Sequence, residues 1–148
     1  MNREWEQEAN AVREQLQRVL TSPMFLHSDR LRRFLTHCVD AALTGRIDDL
    51  KEYTIGVVAF DRPKHYNPAE DPIVRVEARR LRKKLDEYYE TIGSVDPVVI
   101  ELPKGGYLPI FEFRPQKKTE RGHILPLALA ATLAEESGDV WLAKPATQ

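Results

Sequence analysis

Apolar residues recur along this chain at helical spacing four times, then switch to alternation near residue 100. Over residues 3–20, Trp5, Ala9, Val12, Leu16 and Val19 fall on one stripe, with Glu and Arg on the other face. Ser22-Pro23 ends that helix, because a residue before proline is pushed away from helical angles. A second helix is expected over 28–44, with Ser28 as N-cap and Gly45 as the stop. Leu31, Phe34, Leu35, Cys38, Val39, Ala42 and Leu43 make its apolar face. A shorter third helix covers 51–59, with Tyr53, Val57 and Phe60 on one side. The loop 61–70 follows, polar and marked by prolines. Asp71 then reads as an N-cap and Pro72 as the first residue of a fourth helix that runs to Thr91 and stops at Gly93. Its apolar stripe is Val74, Ala78, Leu81, Leu85 and Tyr88. Residues 98–113 read as a hairpin, with Pro103-Lys104-Gly105-Gly106 as a tight turn that throws Lys104 outward.

The pattern predicts a mainly helical α+β domain over 1–114, helices first and a β-hairpin last. Residues 115–148 read as a solvated linker, a short apolar segment and a polar tail. The apolar run 124–134 is too short to span a bilayer, which takes roughly 20 residues, and contains Pro126. It is expected to be a packed or loosely attached helix, or the remnant of a longer segment. Met1–Glu6 is acidic and polar, unlike a secretory leader. The single cysteine, Cys38, excludes an intrachain disulfide and suits a reducing, cytoplasmic setting.

With 148 residues and a net charge of −1, the chain is no polycation. A nucleic-acid role therefore rests on where its cations sit. Between 75 and 84 there are six Lys or Arg and the single acid Glu77. Arginine serves both demands of DNA recognition, phosphate charge and a planar donor fork for base edges. Taken alone, such a helix reads equally well as a solvated face. A lysine-tipped hairpin alone reads as a solubilising edge. The two in this order are the elements of a basic helix with an adjoining wing.

The run Val74-Arg75-Val76-Glu77-Ala78-Arg79-Arg80-Leu81-Arg82-Lys83-Lys84-Leu85, followed by Lys104-Gly105-Gly106-Tyr107, resembles the effector domain of OmpR/PhoB-type winged-helix response regulators. That resemblance covers roughly 50–113. With Glu52-Tyr53-Thr54-Ile55-Gly56 added, residues 10–113 are similar to the N-terminal winged-helix modules of larger bacterial membrane or repeat-containing regulators. The resemblance implies a winged helix-turn-helix that binds double-stranded DNA in transcription regulation. It implies that Arg75, Val76, Arg79 and Arg80 face the major groove, that Arg82 and Lys83 lie near phosphates, and that Lys104 reaches the minor groove. Leu81, Leu85 and Tyr107 correspond to packing positions. The loop 61–70 corresponds to a segment that can meet RNA polymerase. Two departures stand out: the chain opens with two helices where the response-regulator domain has a small sheet, and the wing is one residue short.

No His, Cys, Asp or Glu spacing suggests a metal site, and no Ser, Cys or His arrangement suggests a nucleophile with its base. No enzyme activity, cofactor or small-molecule substrate is expected. A competing reading makes the basic face a dock for an acidic protein partner, since fold does not fix function. The stripe from Trp5 to Val19 serves either a homodimer seam or packing within the chain.

Overall fold

The computed structural model describes residues 3–118 and 124–126. Helix α1 spans Arg3–Thr21, α2 Asp29–Leu43, α3 Glu52–Phe60 and α4 Ile73–Glu90, with a 3₁₀ turn at Ile47–Leu50 before α3. Strands β1 (Val98–Glu101) and β2 (Ile110–Phe113) follow as an antiparallel hairpin, giving the mainly helical α+β architecture read from the pattern. One apolar core takes side chains from all four helices and from β1.

Helix boundaries follow local chemistry. Gly45, at φ 74°, ends α2 in a left-handed turn that a side chain would strain. There Gly45 N–H donates to Ala42 O at 3.4 Å and Arg46 N–H to Ala41 O at 2.9 Å, closing the carbonyls left open at a helix end. Ser28 is the N-cap residue of α2, but its hydroxyl makes no capping bond. Helix α4 starts one residue later than expected, at Ile73, with Pro72 in the cap position. Asp71 still does the capping: its Oδ1 accepts the Ile73 N–H at 3.2 Å.

The buried faces differ from the stripes in informative ways. On α1, Ala9, Val12, Leu16 and Val19 are buried in the chain's own core, whereas Trp5 is exposed. Gln15 is 1% exposed. Its Nε2 donates to Asp96 Oδ2 at 2.8 Å and to Tyr89 Oη at 3.2 Å. Asp96 also accepts from Tyr88 Oη at 2.5 Å. This polar knot ties α1, α4 and the approach to β1 together. Helix α3 is apolar nearly all round, so its period says little about its orientation. It buries Ile55, Gly56, Ala59 and Phe60, and leaves Tyr53 outside. Gly56 lies against the Tyr66 ring, so closely that a Cβ would sit 2.3 Å from Tyr66 Cε2.

One expectation about the chain's later part is refined and one is corrected. The β1–β2 ladder closes at Glu101↔Ile110, so the expected turn, at Lys104–Gly105, sits within a longer connection over residues 102–109. Gly105, at φ 93°, bends that loop. In the stretch expected to be a linker, Gln116–Lys118 forms β3 and pairs antiparallel with β4, Ile124–Pro126. The start of the expected apolar helix is thus a strand. Residues 127–134 of that run, and the tail, lie outside the described residues.

Candidate functional site

Helix α4 presents two opposite faces. At about 100° per residue, Val76, Arg79, Arg80 and Lys83 share one sector. Val74, Ala78, Leu81 and Leu85 occupy the other and are at most 2% exposed. Arg79, Arg80 and Lys83 are exposed, and Val76 is half-buried between them. The apolar stripe is anchored in the core, which fixes the rotation of the helix and aims the basic sector outward.

The six cations of 75–84 are not equivalent. Arg75 is tied down: Nη1 meets Glu52 Oε2 at 2.5 Å, and Nη2 donates to Pro68 O at 3.1 Å. It braces α4 against α3 and the loop between them. Lys84 donates to Met24 O at 2.8 Å, its ammonium 5.8 Å from the centre of the Phe25 ring. Arg80 donates from Nη1 to Glu77 Oε1 at 3.1 Å while staying 68% exposed. Arg79 and Lys83 form no hydrogen bond or ion pair among the described residues.

Arg82, expected near phosphates, also makes contacts within the chain. Its Nε donates to Leu102 O at 2.9 Å, and its Nη2 to Pro103 O at 3.2 Å and Gly106 O at 3.0 Å. One guanidinium thus fastens the hairpin loop to α4. Tyr107 adds a second attachment, its ring centroid 6.1 Å from that of Phe34 on α2. Burial pushes the Tyr107 hydroxyl above its ordinary pKa. Lys104 is left exposed on the fastened loop.

The connection between α3 and α4 is built as firmly. Arg33 on α2 holds Asp61 through two bonds, at 2.7 and 3.1 Å, and Val58 O at 3.1 Å. Arg62 pairs with Asp71 at 2.8 Å, and Tyr53 donates to Lys64 O at 2.8 Å. The Tyr53 and Tyr66 rings stack with centroids 6.0 Å apart. These ties fix how α4 is presented relative to α3.

Sequence reasoning placed Val76, Arg79, Arg80, Lys83 and Lys104 at the surface. It missed the contacts that Arg75 and Arg82 make within the chain, with partners 7 and 23 residues away for Arg75 and 20 to 24 for Arg82. It also missed two clefts. One, of about 540 Å³, lies between the start of α2 and α4 and is lined by Arg30, Glu77, Arg80 and Lys83 among others. The other runs between the second half of α4 and the hairpin, where Asp86, Glu90 and Glu101 accompany Lys104.

Other chemistry finds little purchase. His37 Nε2 lies 2.7 Å from Asp49 O, a carbonyl that can only accept, so the ring donates there as a structural tie. Among the described residues no group of three or more His, Cys, Asp or Glu side chains is placed to hold a metal ion. Among them too, no helix is long and apolar enough to cross a membrane. Comparison with protein-family models, with curated proteins and with solved structures gives no match to this chain.

Proposed function

We propose that this chain binds double-stranded DNA as a winged helix-turn-helix, with α4 in the major groove and the β1–β2 hairpin beside it as the wing. It would serve as a transcriptional regulator or as the DNA-binding module of one. The observation that carries the reading is the outward sector of α4, where Val76, Arg79, Arg80 and Lys83 stand together on a helix whose opposite face is locked in the core. A helix so presented fits the groove, arginine forks fit base edges, and lysine fits phosphate. Lys104, on a loop held to the same helix by Arg82, supplies a further cation. Arg75 and Arg82 then act by positioning, α4 in one case and the wing in the other.

Fluorescence anisotropy with random-sequence duplex DNA, titrated across salt, tests the reading. Affinity should fall steeply with salt, because each phosphate neutralised releases counterions. An Arg79→Ala, Arg80→Ala double variant should lose binding while keeping its fold. Replacing Lys83 should weaken all duplexes alike and flatten the salt slope. Failure of the wild-type chain to bind at low salt would end this proposal.

One observation favours a second reading, docking of a protein partner on the basic face. Asp86, Glu90 and Glu101 line the groove between α4 and Lys104, so acidic groups interrupt the positive surface there. Absence of DNA binding together with capture of an acidic partner that depends on Arg79 and Arg80 would establish it.

A further inference from the structure

Between residues 73 and 85, α4 carries one acid, Glu77, and buries it. The residue is 4% exposed, beside Val74, Ala78 and Leu81, which have no exposure at all. Its carboxylate borders the cleft between the start of α2 and α4, and the arginine it pairs with is mostly in solvent, so the two do not form a buried ion pair. Helix stability is a poor reason to keep it, since a pair with a mostly exposed arginine three residues on contributes little.

What the carboxylate does is hold Arg80. Glu77 Oε1 receives Nη1 at 3.1 Å, although the arginine is 68% exposed. The Nε and Nη2 donors of Arg80 have no partner among the described residues. These two N–H groups form one edge of the guanidinium, the edge that matches the paired O6 and N7 acceptors of guanine in the major groove. Holding a long side chain in place before contact removes part of the ordering cost of binding.

We infer that Arg80 reads a guanine and that Glu77 is the positioning residue which presents its guanidinium edge. This rests on the DNA-binding reading and adds to it the base recognised and a residue that sets specificity without touching DNA.

The test begins by selecting bound duplexes from a randomised pool with the full wild-type chain. Affinity is then measured for the selected duplex and for copies in which each guanine in turn is replaced by 7-deazaguanine, which lacks the N7 acceptor. Wild type should lose about tenfold at one guanine. Arg80→Ala should be indifferent to that replacement. Glu77→Gln and Glu77→Met should each shrink the tenfold penalty at that guanine and leave the salt slope unchanged. Glu77→Met should also melt no lower than wild type, which a purely structural glutamate would not allow. Full discrimination retained in a folded Glu77 variant would overturn the role of Glu77. A guanine penalty that persists in Arg80→Ala would overturn that of Arg80. Absence of binding by wild type to every duplex would instead remove the DNA-binding reading on which the inference stands.

Discussion

Arg82 on α4 and Gly106 in the hairpin loop are joined by a guanidinium–carbonyl bond of 3.0 Å, and the same guanidinium reaches Leu102 O and Pro103 O. A charged donor bound to several backbone acceptors is among the stronger polar ties a surface loop can have. Replacing Arg82 with Ala should lower stability by about 2 kcal/mol and speed amide exchange across residues 103–107. Arg82→Lys should recover only part of the protection, since a point charge cannot serve a planar set of acceptors. Hydrogen exchange followed by mass spectrometry reads both effects. Unchanged exchange in Arg82→Ala would mean that the loop is held by something else.

Gln15 is the second polar residue whose loss should be felt across the molecule. Its amide is buried and donates to Asp96 and Tyr89, while Tyr89 Oη also receives the Ile100 N–H at 2.9 Å. Gln15→Leu removes a donor from the half-buried Asp96 carboxylate and should cost about 1–3 kcal/mol. Urea unfolding measures this as a lower midpoint with an unchanged slope. A stability equal to wild type would show that Asp96 is adequately served by Tyr88 alone.

How far the sequence could be read depended on the range of the interaction. Val74, Ala78, Leu81, Leu85 and Tyr88 recur at helical spacing, and all five are buried, so the pattern alone was enough to orient α4. The outward placing of Arg79, Arg80 and Lys83 followed from the same period. Arg82 looked like its neighbours, because nothing local marks a guanidinium that will find carbonyls twenty or more residues later. Glu77 was read as one acid among many cations, and only the packing shows it turned inward. Helix α3 was oriented by Tyr53, Val57 and Phe60, of which only Phe60 is buried, because an element apolar nearly all round carries little phase. The strands at Gln116–Lys118 and Ile124–Pro126 were hidden for another reason: a polar tripeptide paired with an apolar one has no alternation to detect.

Burial pushes the Cys38 thiol up to about 12, so in the folded protein it stays protonated through neutral and mildly alkaline pH. The unfolded thiol, with a pKa of about 8.5, ionises first. The sign follows: stability is unaffected well below that value and declines as pH rises past it, because only the unfolded state releases the proton. A thiol-specific colorimetric reagent should therefore react slowly with native protein and rapidly in denaturant. Fast labelling of the native chain at neutral pH would contradict the burial.

The Arg33–Asp61 pair provides a test in the opposite pH direction. Its hydrogen bond and its charge both hold the Asp61 carboxyl below the usual aspartate value. A depressed folded pKa contributes stability that is present above the unfolded value and is lost as pH falls through the folded one. Carboxyl-carbon NMR should show Asp61 titrating low in wild type and near the ordinary aspartate value in Arg33→Ala. Identical titration in both proteins would dissolve the pairing. The pair lies on an exposed surface, so the effect belongs to the site and not to global stability.

Gly56 and Tyr66 carry a consequence for how this chain can change over time. The glycine gives the Tyr66 ring its seat, and the ring in turn stacks on Tyr53 while its hydroxyl donates to Asp71 O at 3.4 Å, just before α4. Neither position is free by itself. A side chain at 56 has room only after the ring at 66 has shrunk, and a smaller residue at 66 leaves a hollow that a methyl group at 56 would partly fill. The two sites form a coupled pair in which a single step in either order passes through a poorer fit. Divergent copies of this protein are therefore constrained to exchange both residues together or to keep both.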